Sequence, residues 1–433
     1  MTTLTPTRPP QAPVVPDPEA LIEEARRRAR RRRAAVATAV VIAAGASAGL
    51  FFAFDGGSGG SRSRPGGAES SAAAGARELR EIARAARRNT IVEAGLVAPG
   101  RGWAMNGLAL WSTENGGSTW RAITPPPVLR IGDPVARIDD IQFVGRRRAW
   151  IASSDIWGRR VLPDGSLRHF EIERTTDGGR TWRSVIPPGC AVCGGGHLSF
   201  LDARRGYLLT GASPAWLYST DDGGATWQRL AMAPFSGAIV FLDRRDAFGV
   251  TDPGSALYRT RDGGRRWERV RLDPPSQFAG EPAAATLPRF FGTGLGVMPV
   301  RFRDPATRAQ HLAVYVTRDG GRTWTSRPGP DVDLRALSWG FSGGIPFSAP
   351  GPDDWFLFAG KTLYSTSNAG QSWTAIRPRY APALPRITDV AFASPLDGWA
   401  IFTVPQGAAL VHTTNGGRDW TPLVPPPRTF HRG

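Results

Sequence analysis

Cys190 and Cys193 are the only cysteines of the 433-residue chain, and His197 follows four residues later. A Cys-x-x-Cys pair admits three chemistries. Outside the cytoplasm it forms a local disulfide that stiffens its loop. A thiol-redox pair needs a βαβ setting and a helix N-terminus that lowers the thiol pKa, and the flanking sequence offers neither. A closed zinc site needs a fourth ligand, which no nearby residue supplies. The disulfide reading is favoured, and neither a metal nor a cofactor is expected. Carboxylates are the other resource: Asp133, Asp155, Asp304, Asp331 and Asp333 fall in loop-like stretches. Glycoside hydrolysis by two carboxyl groups needs them about 5 Å or about 6.5–9.5 Å apart, a separation that sequence does not give. Gly194-Gly195-Gly196 lacks the Lys-Ser/Thr of a phosphate-cradling loop, and no Gly-x-Ser-x-Gly elbow occurs. No catalytic residue is assigned.

The elements that position these groups come from a repeat. Thr220-Asp221-Asp222-Gly223-Gly224-Ala225-Thr226-Trp227 returns at Thr113, Thr175, Thr260, Thr317, Thr366 and Thr413. Its third, fifth and eighth positions are Asn115, Gly117, Trp120; Asp177, Gly179, Trp182; Asp222, Gly224, Trp227; Asp262, Gly264, Trp267; Asp319, Gly321, Trp324; Asn368, Gly370, Trp373; and Asn415, Gly417, Trp420. Strand-like runs flank each copy, so the motif reads as a hairpin turn. The fifth-position glycine suits a positive φ, and the Asp or Asn can bond the turn's own amides. A thin hairpin cannot bury the closing indole alone, so the Trp is expected to pack on the next sheet. Successive copies lie 40 to 62 residues apart, the period of an array of small sheets.

The motif resembles the Asp-box, or bacterial neuraminidase repeat. Before each turn lies a segment of the type Phe392-Ala-Ser-Pro-Leu-Asp-Gly398-Trp399-Ala400. Together these are similar to the repeats of the photosystem II assembly-factor family and its bacterial relatives. The resemblance implies an all-β fold: a seven-bladed β-propeller of four-stranded blades over residues 89–427, with a tail at 428–433. Later blades are expected to begin near Ile138, Leu198, Ala238, Phe290, Leu334 and Ile387. How the ring closes is left open. Arg266, Ser372 and Asp419 replace the usual seventh-position Thr and are expected to weaken their turns.

The lattice absorbs most aromatic residues. Of six tyrosines only Tyr380 has no lattice position, and Trp157 and Trp339 likewise stand outside it. Trp157 lies beside Arg159 and Arg160 in the longest insertion, either as an exposed anchor for a protein or glycan or folded onto its own loop. Insertions fall on the face opposite the repeated turns, and loops on a rigid scaffold carry binding residues. Arg303, in the 301–310 insertion, completes the candidate binding set with Trp157, Arg159, Arg160, Trp339 and Tyr380. A sialidase, as its family implies, needs a catalytic Tyr with its Glu and an arginine triad, and the tyrosine positions here argue against one.

The N-terminal region differs in character. Residues 1–33 are Pro-rich and end in an arginine cluster at 26–33, and read as a disordered cytoplasmic tail. Residues 34–54 carry no charge, and 21 residues just span a hydrocarbon core. The flanking arginines keep that end in the cytoplasm. The rival is a cleaved signal peptide with Ala46-Ser47-Ala48 as its cleavage site. Residues 55–88 read as a Gly/Ser/Ala-rich tether, then a short amphipathic helix from Arg77 to Arg88 that packs on the propeller. The net charge is +17, and Lys361 is the one lysine among 54 basic residues. That charge favours anionic partners, yet no basic run interleaved with aromatics supports nucleic-acid binding.

Fold and resemblance together lead to a single-pass protein of a bacterial cytoplasmic membrane, its propeller outside. The function expected is a non-catalytic binding or assembly scaffold for a protein partner or envelope polymer. The competing class is a glycoside hydrolase, sialidase-like or endoglucanase-like, that uses loop carboxylates.

Overall fold

The computed structural model describes residues 71–106, 109–125, 136–155, 170–190, 193–251, 254–292, 294–331, 345–359, 362–378 and 386–426. Residues 34–54 lie outside this set; among the described residues no helix is long and apolar enough to cross a membrane. Seven antiparallel sheets follow one another along the chain, each running in order from its first strand to its last. Their first strands are Glu93–Ala98, Ala136–Val144, Gly196–Phe200, Ile239–Phe241, Arg289–Phe291, Phe347–Ser348 and Arg386–Phe392. Six sheets have four strands. The fifth has five, because Ala283–Ala285 and Arg289–Phe291 both pair with Leu295–Arg303. Blade 6 pairs first through Phe347, well beyond the expected start at Leu334, which lies outside the described residues.

All seven repeated turns are wired alike. The Thr hydroxyl accepts the Gly amide two residues past the Asp or Asn, at 2.8–3.0 Å. It donates in turn to the Asp or Asn Oδ1 at 2.8–3.0 Å. That Oδ1 also accepts the seventh-position amide. The fifth-position glycines all have φ between 76° and 89°. The Thr is thus the hub that satisfies a buried amide, a role the sequence pattern contained but did not explain.

Two of the three seventh-position replacements, Ser372 and Asp419, are compensated. Where the third residue is Asp and the seventh Thr, that hydroxyl donates to the Asp Oδ2 at 2.6–2.7 Å, a bond the Asp262 turn with Arg266 lacks. Where it is Asn, the direction reverses, and Nδ2 donates to Thr119, Ser372 or Asp419 at 2.8–2.9 Å. Asp419 therefore complements Asn415, and the expected weakening of that turn does not follow.

The indoles are buried or half-buried, but against the preceding blade. Trp120 meets Trp399 of blade 7 at 5.7 Å between ring centroids. Trp324 packs edge-on to Phe248 of blade 4, and Trp420 lies against Phe358 of blade 6. The second motif is explained by a stack that runs in the same direction. Phe200, Phe241 and Phe392 of three first strands lie on Trp150, Tyr207 and Phe356 of the blade before, with centroids 3.4–3.7 Å apart. A Cβ on Gly398 would fall 2.5 Å from the Phe392 ring, so only glycine fits under it.

First strands facing the ring axis have an edge with no further strand to pair, and an unpaired buried amide is costly. Neighbouring blades supply side chains instead. Leu198 donates to Asp140 Oδ2 at 2.8 Å, Phe200 to Gln142 Oε1 at 2.7 Å, Phe241 to Ser199 Oγ and Phe392 to Ser348 Oγ at 2.8 Å.

The ring closes without an exchanged strand: blade 1 draws all its strands from 93–122 and blade 7 from 386–423. Ile91 donates to the Ala408 carbonyl at 2.9 Å, and Asn89 Nδ2 to that of Pro425 at 3.2 Å. The helix Ser71–Arg88 begins six residues earlier than expected and takes in part of the assigned tether. Its spacing presents Ile82, Ala85 and Ala86 to Phe402, Val404, Ala409 and Val411 of blade 7. Glu78 Oε1 accepts the Trp420 amide at 3.0 Å, fixing the helix to the last turn.

Candidate functional site

The face opposite the repeated turns is best defined at blade 5. Strands Leu295–Arg303 and Gln310–Thr317 pair along eight residues, a longer hairpin than the corresponding pair of blade 4. The preceding segment folds against this hairpin. Phe278 stacks on Phe302 at 5.3 Å and on His311 at 4.9 Å. Tyr315 donates its hydroxyl to the Asp273 carbonyl at 2.8 Å, and burial together with the Asp273 charge pushes the phenol up to about 12. Ala283–Ala285 adds a short strand, and Arg303 donates its amide to the Pro282 carbonyl at 3.1 Å.

This platform carries Arg303, the one described member of the candidate binding set, with an exposed side chain. Arg301 lies two residues back on the same sheet face. Burial lowers its pKa, and the Arg303 charge lowers it further. Two adjacent guanidinium groups on a rigid edge suit a carboxylate or a carbonyl-rich peptide surface. Trp157, Arg159, Arg160, Trp339 and Tyr380 lie outside the described residues.

The carboxylates are placed differently. Asp304 accepts from the Thr307 hydroxyl at 2.6 Å, the Ala306 amide at 2.7 Å and the Thr307 amide at 3.1 Å. The Thr307 bonds are the main cause of its lowered pKa. It shapes its own loop. Asp133 and Asp333, and the side chain of Asp155, lie outside the described residues. On the turn face, arginines serve as clips between turns: Arg244 pairs with Asp221 at 3.0 Å, and Arg121 donates to the Gly178 carbonyl. Arg259 reaches from blade 4 to the Gly321 carbonyl of blade 5 while holding Asp246 at 2.9 Å.

Cys190 and Cys193 form a disulfide. Their loop is held by the Tyr218 hydroxyl, which donates to the Pro188 carbonyl at 3.1 Å. Among the described residues no three His, Cys, Asp or Glu side chains converge as metal ligands.

Residues 193–329, which contain blades 3 to 5, match the family model of the photosynthesis system II assembly factor YCF48. A structure of YCF48 bound to a D1 peptide is similar, with a TM-score of 0.51 and 19% identity over 76% of this chain and 94% of that one. YCF48 from Cyanidioschyzon merolae gives 0.50 and 16%, covering 75% and 96%. A GH74 xyloglucanase from Xanthomonas campestris gives 0.50 and 15% over 78% of this chain, which spans about half (55%) of the enzyme. At these identities the structural likeness speaks for the fold. No curated protein sequence matches the chain significantly. The chain therefore resembles the assembly-factor propellers, as its repeats imply.

Proposed function

We propose that this chain is a non-catalytic scaffold that holds a protein partner on the loop face of its propeller, with the blade-5 platform as a principal contact. The observation that carries the reading is that the matched segment, 193–329, contains this platform and its exposed Arg303. That a YCF48 structure holds a D1 peptide supports a polypeptide as the partner. The proposed placement is extracytoplasmic, with residues 34–54 as a membrane anchor and the arginines at 26–33 on the cytoplasmic side. The Cys190–Cys193 disulfide fits an oxidising compartment.

The glycosidase alternative draws only on fold likeness, and Asp304 is committed to its own loop. The test is affinity capture from membranes after chemical cross-linking, comparing wild type with Arg303→Glu. A defined protein partner lost from the variant, at unchanged melting temperature, supports the reading. Hydrolysis of a glycan panel that disappears with one Asp→Asn change would replace it.

A further inference from the structure

A cavity of about 620 Å³ opens at the ring axis between blades 1, 5, 6 and 7. That is within the range of about 300–1,000 Å³ that holds small ligands. Its wall is mixed, with apolar side chains such as Leu96, Leu287, Val297, Ile345 and Val390 making up somewhat more than half of it. Val97, one of three exposed large apolar side chains among the described residues, also faces it.

One charge interrupts this wall: Arg289, on the first strand of blade 5. Its side chain is exposed to the lumen, and the protein around it lowers its pKa by partial desolvation. Among the described residues no hydrogen bond or ion pair holds the guanidinium, and the Phe291 ring lies 5.7 Å from it. No carboxylate is among the described residues of the wall, so an anion entering the cavity would meet an uncompensated positive charge. The register puts Arg289 opposite Val297, and alternation along that strand puts Pro299, Arg301 and Arg303 on the same face. Positive charge thus continues from the cavity toward the loop face.

The other polar side chains of the wall are engaged. Thr286 Oγ1 donates to the Pro299 carbonyl at 3.2 Å, and Ser348 Oγ accepts the Phe392 amide at 2.8 Å. A ligand rich in amide groups would find neither side chain free, whereas an aliphatic body needs none.

We propose that this axial cavity is a binding site for a small apolar monocarboxylate, its carboxylate on Arg289 and its hydrocarbon body along the wall formed by blades 1, 6 and 7. Guanidinium and carboxylate match in a two-bond fork, and the apolar side chains of blades 1, 6 and 7 offer contact to the body. The site is separate from the proposed protein-docking edge and does not depend on it.

The test is calorimetric titration of the full-length chain with hexanoate, hexanol and acetate, with buffer and detergent blanks subtracted. Hexanoate should bind saturably and at least about tenfold more tightly than hexanol, which lacks the charge, or acetate, which lacks the body. Arg289→Gln should weaken hexanoate at least about tenfold and leave hexanol unchanged. Val97→Phe, which adds bulk at an exposed position and leaves the charge in place, should weaken hexanoate as well. Equal affinity for hexanoate and hexanol, or full hexanoate affinity in a folded Arg289→Gln protein, overturns the proposal. Should Arg289→Gln fail to fold, Val97→Phe decides: retained affinity overturns it and lost affinity supports it.

Discussion

Replacing Thr220 by Val removes one hydroxyl and almost nothing else in shape. That hydroxyl accepts the Gly224 amide at 2.9 Å and donates to Asp222 Oδ1 at 2.8 Å. Gly224 is buried, so its amide would be left without a partner at a cost of about 1–3 kcal/mol. The lost bond to Asp222 adds about 1 kcal/mol, since that carboxylate is largely open to water. The extra methyl group, at a position 5% exposed, returns about 0.8 kcal/mol. The net loss is about 2 kcal/mol. At roughly 2.1 cal/mol/K per residue, a ring of this size should melt about 3 °C lower. Asp222→Asn is the control. Asn occupies the same position in three other turns and keeps the Oδ1 bonds, so its cost should stay below about 1 kcal/mol. Differential scanning calorimetry gives both values, and amide exchange at Gly224 should accelerate only in the Val variant. A Thr220→Val protein within 0.5 °C of wild type (roughly 0.4 kcal/mol by the same entropy) would refute the hub role of the threonine.

Further outcomes follow from the same geometry. Ala369 stands at φ 54° where the other six turns have glycine, so Ala369→Gly should stabilise the protein by about 0.5–1 kcal/mol in urea denaturation. Asn415→Asp would set two carboxylates at the 2.9 Å contact with Asp419; a loss of about 1–3 kcal/mol at pH 7, shrinking toward pH 4 as one of them protonates, should appear in melting curves. Burial raises Asp389 from 3.8 to about 6, with its bond from the Val390 amide acting the other way. Because the folded carboxyl keeps its proton more tightly than the unfolded one, wild-type stability falls as pH rises from about 4 to about 6. Asp389→Asn should therefore gain up to about 3 kcal/mol over wild type at pH 7 and little at pH 4.

The fold was legible because each blade repeats its own instructions: a Thr-x-Asp/Asn-x-Gly corner, a terminal indole, and a Phe that lies over a Gly. What escaped sequence reasoning was relational. That Trp120 contacts Trp399 rather than blade 2 depends on the direction in which successive sheets turn about the axis, which no local pattern records. Ring closure rests on Asn89 and Ile91, and their partners Pro425 and Ala408 are more than 300 residues away. The exposed place of Arg303 at the end of a loop-face hairpin was legible because its insertion breaks the repeat. Arg289 was not, since its isolation arises only when strands from residues 96 to 393 converge on one cavity. The disulfide was the favoured one of three readings of the Cys-x-x-Cys pair, because the neighbouring sequence offers no redox or zinc setting, while the threonine hub could have been read from its presence in all seven copies.

The most direct measurement is site-specific photo-crosslinking in intact cells, with a photoreactive amino acid at position 303 on the loop face or at position 204, whose carbonyl accepts the Gly223 amide of a repeated turn, on the turn face. Docking at the blade-5 platform should give a discrete protein adduct from position 303 and none from position 204. Adducts from position 204 alone, or from neither position, would contradict it.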